Sequence, residues 1–306
     1  MSGATVAITG VNGFVGHHVA RELVRSGYNV VGIGRDSDPS SDLAGILGEY
    51  VSADLTTGWP ALPKITAVIH LAGLASVGDS FAMPQEYIAT NSAMVTAMCE
   101  SLLAGGDRVR VVGVSSGAVY ASGSGAALDE ESPIFSSSPY VVSKLLLENQ
   151  LSYYVNRGLD CVTVRPFNHS GPGQGSGYLI PDLVERARAA ARSGSTMTVG
   201  NLDTARDYTD VRDVAIAYRL LATTPTLAHR LYNLSTGVAV AGTEILAMTL
   251  EALSAEDVPV ERVPSLMRPT DAPLIAGDST RLRHDVGWAP GISLRQTIHD
   301  VVAATA

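Results

Sequence analysis

The sequence predicts an α/β fold: a doubly wound parallel sheet with helices on both faces and a smaller, interleaved C-terminal lobe. Three observations predict it. Strand-like and helix-like stretches alternate through the first half of the 306 residues. The strand-like stretches are almost wholly apolar, as strands covered on both faces are. A glycine-rich turn, Gly10-Val11-Asn12-Gly13-Phe14-Val15-Gly16, follows the first of them at once.

The elements follow in order. Ala4 to Thr9 is a short β-rich run, and the glycine turn opens a helix over 14–26. Runs at 28–33, 66–71, 108–114 and 159–165 read as further strands, with helices near 85–104 and 140–157 between them. Right-handed crossovers then bring ligands to the carboxyl ends of the strands. Past residue 166 the texture changes. Gly171 to Gly177 is a loop by composition. Helical patterns return at 181–193, 211–222, 242–254 and 293–304. Leu231 to Leu234 reads as a strand returning to the main sheet, and 197–199 with 258–263 as a small second sheet. The boundary is set at residues 1–166 against 167–306, with return segments near 200–236. Asp36 to Ser41 and Ser122 to Ser138 are polar loops placed to cover a site.

Composition narrows the function. No apolar run reaches the ~18 residues of a membrane span, and the start has no basic leader pattern, so a cytoplasmic protein is expected. Cys99 and Cys161 fit buried thiols in a reducing compartment and have no metal-site spacing; no metal is expected. A net charge of −9 speaks against nucleic acid, yet a few local arginines can still hold an anionic substrate.

The turn is the first chemical signal. Gly10 can take φ > 0, and the missing side chains let backbone approach a pyrophosphate. The helix behind it, opened by Phe14 and Val15, aims free N–H groups at that anion. This is the dinucleotide turn of a Rossmann-type fold. NAD forms carry an acidic residue at the end of the second strand for the ribose hydroxyl. Here the strand ends Ile33-Gly34-Arg35, and a guanidinium suits a 2′-phosphate. NADP(H) is therefore favoured over NAD(H), with Asp36 one residue on able to take the acidic role. Asp54-Leu55 is placed to meet the adenine, or is a plain turn. Leu71-Ala72-Gly73 ends the strand at 66–71 with residues suited to backbone passing close to the cofactor.

The second signal is Tyr140-x-x-x-Lys144 on one helix face, with Pro139 in the favoured first turn. A Lys144 ammonium, aided by a nicotinamide cation, is expected to pull the Tyr140 phenol down from its ordinary ~10. A phenol so tuned can pass a proton to a carbonyl oxygen. Ser116, after the strand at 108–114 and next to Ser115, can hydrogen-bond the same oxygen.

Together, the glycine turn, Ser116 to Tyr120 and the Tyr140/Lys144 pair resemble the extended short-chain dehydrogenase/reductases over nearly the whole chain. Later motifs, Arg165 to Gln174, Gly200-Asn201-Leu202 and Arg206 to Asp213, resemble the GDP-6-deoxy-D-mannose reductases. That resemblance implies reduction of the 4-keto group of GDP-4-keto-6-deoxy-D-mannose to GDP-D-rhamnose, and a homodimer packed through the helices at 85–104 and 140–157. It implies Asn168 at the diphosphate, Arg206 and Arg268 as its clamp, Ser116, Gly117, Leu179, Gly200 and Asn201 around the substrate, Pro166-Phe167 and Ser115 beside the nicotinamide, and Asn91 at the middle of the site. His169 reads either as a proton donor or as a histidine satisfied by backbone. Related dehydratases carry Asp-Glu after the catalytic hydroxyl residue; Gly117-Ala118 has no ionisable group, so dehydration is not expected. Val119-Tyr120-Ala121 departs from a common Val-Tyr-Gly and implies a local backbone adjustment. The competing readings are an NAD-dependent sugar-nucleotide 4-epimerase, a reductase of a dTDP-linked sugar and a non-catalytic NADP-binding protein.

Overall fold

The computed structural model describes residues 3–121, 127–263 and 273–305. In chain order these hold β1 (Thr5–Thr9), α1 (Phe14–Arg25), β2 (Asn29–Gly34), β3 (Glu49–Ser52), β4 (Ala67–His70), α2 (Val77–Ser80), α3 (Pro84–Gly105), β5 (Arg110–Val114), α4 (Pro139–Asn156) and β6 (Asp160–Pro166). There follow β7 (Asn168–Ser170), α5 (Leu179–Ser193), β8 (Met197–Val199), β9 (Ala205–Asp210), α6 (Val211–Thr223), β10 (Leu231–Leu234), β11 (Ala239–Ala241), α7 (Gly242–Ala252), β12 (Val260–Arg262), β13 (Leu274–Ile275), α8 (Thr280–Val286) and α9 (Leu294–Ala304).

The main sheet has seven strands in the order β10-β6-β5-β4-β1-β2-β3. Every neighbour is parallel, and β10 does return to it, beside β6. Successive residues of one strand feed opposite layers, as a period of two requires. Val6 and Ile8 pack with α1 and α6 on one face. Ala7 points the other way, with Val68 and Val111, onto Met94, Met98, Leu147 and Leu151 of α3 and α4. Cys99 and Cys161 lie in that second layer, buried and free, and contact each other. They behave as the small hydrophobes expected of them.

Strand order reverses between β1 and β4, so the crevice at their carboxyl ends is the switch point of the sheet. β4 stops at His70, one residue short of the expected Leu71. The reason is local: the N–H groups of Leu71 and Ala72 both donate to the Thr9 hydroxyl at 3.1 Å.

Around the crevice sits a second sheet, β11-β9-β13 with β7 also on β9. Its strands are two to six residues long and give no periodicity to read. β8 and β12 form the expected small pair, in parallel. α5, α7 and α9 close a separate apolar cluster there, with Ile180, Val184, Ile245 and Ile298 almost fully buried.

Candidate active site

The glycine turn is built by close approach. Gly10 has φ +70°, and a Cβ there would stand 2.9 Å from the Ala72 nitrogen. A Cβ on Gly16 would lie 2.4 Å from the Gly10 carbonyl oxygen. Gly13 is exposed, has no side-chain cap to offer α1, and faces outward. The result is a cradle of bare backbone at the positive end of a twelve-residue helix, which fits a pyrophosphate. Phe14 closes one side, edge-on to His18 and stacked on His169 with centroids 6.3 Å apart. Val15 turns into the core beneath.

The ribose end has a construction the sequence did not disclose. A Cβ at Gly34, the usual acidic position, would meet the Tyr50 hydroxyl at 2.6 Å. That hydroxyl donates to the Asp36 carbonyl at 2.8 Å. Asn12 ties the 36–40 loop to the turn: its Nδ2 donates to an Asp36 carboxylate oxygen at 2.7 Å, and its Oδ1 accepts from the Ser40 N–H at 3.0 Å. Arg35 is exposed and makes no hydrogen bond or ion pair with any described residue. Asp54 accepts from the N–H and the hydroxyl of Thr56, a turn bond that holds its carboxyl below the usual range; Arg35 adds to that pull. Leu55 packs into the core.

The candidate catalytic cluster lies where β5 and α4 meet. Ser138 caps α4 by accepting from the Val141 N–H at 3.2 Å, and Pro139 follows it. Tyr140 and Lys144 are thereby set one turn apart, both buried, with Nζ 5.7 Å from the phenol ring centroid. Lys144 donates to the Val114 carbonyl at 2.9 Å, and burial brings its ammonium down to about 8. Ser116 begins a short turn by accepting from the Ala118 N–H.

One expectation is corrected here. Burial raises the Tyr140 phenol above its ordinary value, while a hydrogen bond from Ser116 pulls it down; Lys144 is turned to Val114 and is not among the causes. Asn91 lies on α3 and is buried. Its amide is bonded on both sides, Oδ1 accepting from the Leu74 N–H and Nδ2 donating to the Leu74 carbonyl and to Ser143. It braces the 73–74 segment against α4. Ser115 likewise has its N–H on the Val164 carbonyl and its hydroxyl on Glu148.

Phe167 is buried between two glycines. A Cβ on Gly117 would come within 3.1 Å of its ring, and one on Gly277 within 2.4 Å. A dehydratase's first carboxylate, at position 117, would crowd that ring. His169 donates from Nδ1 to the Phe167 carbonyl, 3.1 Å away, and burial lowers its pKa, as the backbone-satisfied reading has it.

On the substrate side, Asn168 is exposed on β7 and hydrogen-bonds Tyr208. Leu179 opens α5, and Gly200-Asn201 forms a turn in which Asn201 accepts from the Asp203 N–H. Arg206 lies on β9 and donates to its neighbour's carbonyl. Asp207 is bonded instead to Thr236, Gly237 and Gly277, and Asp210 to Arg212 and Thr297. Arg268 lies outside the described residues, as does Ser122. Among the described residues no metal-ligand cluster occurs, and no helix is long and apolar enough to cross a membrane.

Residues 7–301 match the family described as GDP-mannose 4,6 dehydratase. The chain is an extended short-chain dehydrogenase/reductase of that family. It is 31% identical to a GDP-6-deoxy-D-mannose reductase of Pseudomonas aeruginosa, over 97% of this chain and 95% of the relative. It is 29% identical to a UDP-glucose 4-epimerase of Mycolicibacterium smegmatis, over 96% of each. The solved structure of MoeE5 in complex with UDP-glucose and NAD superposes with a TM-score of 0.84 at 28% identity, covering 99% of this chain and 98% of that one. As a member of the family, the protein is an NAD(P)-dependent enzyme of nucleotide-sugar modification.

Proposed function

We propose that this enzyme reduces the 4-keto group of a nucleotide-activated 6-deoxyhexose, with GDP-4-keto-6-deoxy-D-mannose as substrate, GDP-D-rhamnose as product and NADPH as reductant. One observation carries the reading: a complete Ser116, Tyr140 and Lys144 set stands beside Gly117-Ala118, which carries no ionisable side chain and where Phe167 crowds position 117. Such a site can move a hydride and one proton, and has no acid–base pair for removing water.

Bound reduced nicotinamide would supply the hydride to C4. Tyr140 gives its proton to the oxygen as the alkoxide develops, and Ser116 hydrogen-bonds the same oxygen. Lys144, fixed on the Val114 carbonyl, stands one helical turn from the phenol. Gly10, Asn12, Gly13, Phe14, Val15 and Gly16 would hold the pyrophosphate; Arg35 would hold the 2′-phosphate; Ala72, Gly73 and Pro166 would flank the rest. Asn168 and Arg206 with Arg268 would take the substrate diphosphate. GDP is favoured by the relative from P. aeruginosa. Dimerisation through α3 and α4 and residence in the cytoplasm belong to the same reading, as does the division of the chain near residue 166.

A second reading, an NAD-dependent 4-epimerase, is favoured by the Asp36 carboxylate on Asn12 and by the epimerase relatives. The test is loss of reduced-nicotinamide absorbance with the GDP-linked and dTDP-linked 4-keto sugars, using NADPH and NADH. Turnover of the GDP sugar that vanishes in Tyr140→Phe supports the reductase. No turnover, with NAD retained through purification, transfers the reading to the epimerase.

A further inference from the structure

Behind the catalytic cluster lies a buried ion pair that the mechanism above does not use. Glu148 stands one turn beyond Lys144 on α4, and Arg165 is the penultimate residue of β6. The guanidinium grips the carboxylate twice, Nε to Oε1 at 2.8 Å and Nη2 to Oε2 at 2.7 Å. Both side chains are largely buried, 6% exposed for Arg165 and 14% for Glu148. The same Oε1 accepts the Ser115 hydroxyl at 2.5 Å. Arg165 also lies over the Tyr120 ring at 4.9 Å, and the Tyr120 hydroxyl donates to Asn233 at 2.6 Å.

Those contacts converge on one short segment. Ser115 is held by its N–H on Val164 and by its hydroxyl on Glu148. On one side of it is the Val114 carbonyl that receives Lys144; on the other is Ser116, whose hydrogen bond draws the Tyr140 phenol down. One carboxylate thus joins the three elements that carry Ser116, Lys144 and Phe167. A buried ion pair is weak evidence for stability, because desolvation offsets much of its attraction. A fixed geometry is what such a pair supplies here.

We propose that Glu148, clamped by Arg165, is a positioning residue for the reaction: through the Ser115 hydroxyl it fixes the Val114–Ser116 segment, and with it the places of the Ser116 hydroxyl and of the Lys144 ammonium beside Tyr140. The proposal rests on the catalytic roles assigned above to Ser116, Tyr140 and Lys144, and not on the identity of the sugar.

The experiment compares wild type, Ser115→Ala and Glu148→Gln, each with nicotinamide cofactor bound. Ser115→Ala deletes one hydroxyl and leaves the ion pair whole, so it decides the matter should Glu148→Gln fail to fold. The Tyr140 phenol is titrated by its near-ultraviolet tyrosinate absorbance, as the difference between each protein and its Tyr140→Phe counterpart. Expected is an upward move of the Tyr140 midpoint by about one pH unit, with kcat on the keto sugar down roughly tenfold and KM unchanged. A lower melting temperature with midpoint and kcat at wild-type values would overturn the proposal and leave the clamp a structural brace. Should wild type turn over no keto sugar, the reductase reading fails, while the tyrosinate titration, which needs no substrate, still decides the clamp.

Discussion

Arg35→Leu is the sharpest perturbation of the cofactor site. The guanidinium is exposed at the end of β2 and has no competing ion pair among the described residues. Its loss should therefore remove ligand contacts without unsettling the fold. A charge-assisted hydrogen bond contributes about 1.5–3 kcal/mol, which is roughly a 10- to 150-fold weaker Kd for NADPH. NADH lacks the 2′-phosphate, so its Kd should stay within about twofold. Restoring an acidic residue at the neighbouring Gly34 is harder than the sequence implies. Its Cβ would come within 2.6 Å of the Tyr50 hydroxyl, which is bonded to Asp36. Gly34→Asp alone should weaken both cofactors; added to Arg35→Leu together with Tyr50→Ala, it should favour NADH. Titration of nicotinamide fluorescence on binding measures each constant. Equal weakening of NADPH and NADH by Arg35→Leu, or none of either, refutes the assignment of the 2′-phosphate to this residue.

Three further outcomes are expected. Lys144 loses its proton near pH 8, so kcat should fall as pH rises through that value, and Lys144→Met should abolish that limb of the profile. His70 is buried and neutral: burial, with Lys144 nearby, brings its pKa to about 3. The unfolded chain binds this proton near 6.5 and the folded one does not. Stability should therefore be complete above that value and decline towards pH 3, by up to ~1.4 kcal/mol per pH unit; denaturant melts of His70→Gln should show a flatter acid limb. Gly16→Ala places a Cβ against the backbone oxygens of Gly10 and Val11 at 2.4 and 2.6 Å, which should cost about 1–3 kcal/mol. Thermal melts and cofactor titration should show both stability and affinity reduced.

Much of the sheet and the candidate catalytic set was legible because each is dictated locally. Apolar strands of one period, a turn that only glycine can make, and a tyrosine and lysine one helical turn apart need no distant information. The unread features depend on residues brought from afar. Tyr50 occupies the acidic position at Gly34 only because β3 lies beside β2. The bracing of Leu74 by Asn91 depends on how α3 meets the β4 end. Glu148 had one signal, its four-residue spacing from Lys144, yet its partner Arg165 arrives from another strand. The phenol's upward shift was missed because burial of Tyr140 is a property of packing. β7, β9, β11 and β13 were too short or too polar to show a pattern.

The return of β10 to the edge of the main sheet has a consequence for how the chain is made. Synthesis proceeds from the N-terminus, and β6 can pair on that side only after Leu231 to Leu234 have left the ribosome. Until α6 also emerges, the layer over α1 lacks Val214, Ala217, Tyr218 and Leu221, all essentially fully buried in the finished protein. A nascent chain halted near residue 166 would therefore display a bare strand edge beside an uncovered apolar face, the combination that invites association with other chains. Completion of the nucleotide-binding sheet and delivery of the β7 and β9 strands beside it are thus events in a single stretch of translation, and a ribosome cannot release the one as a working unit without the other.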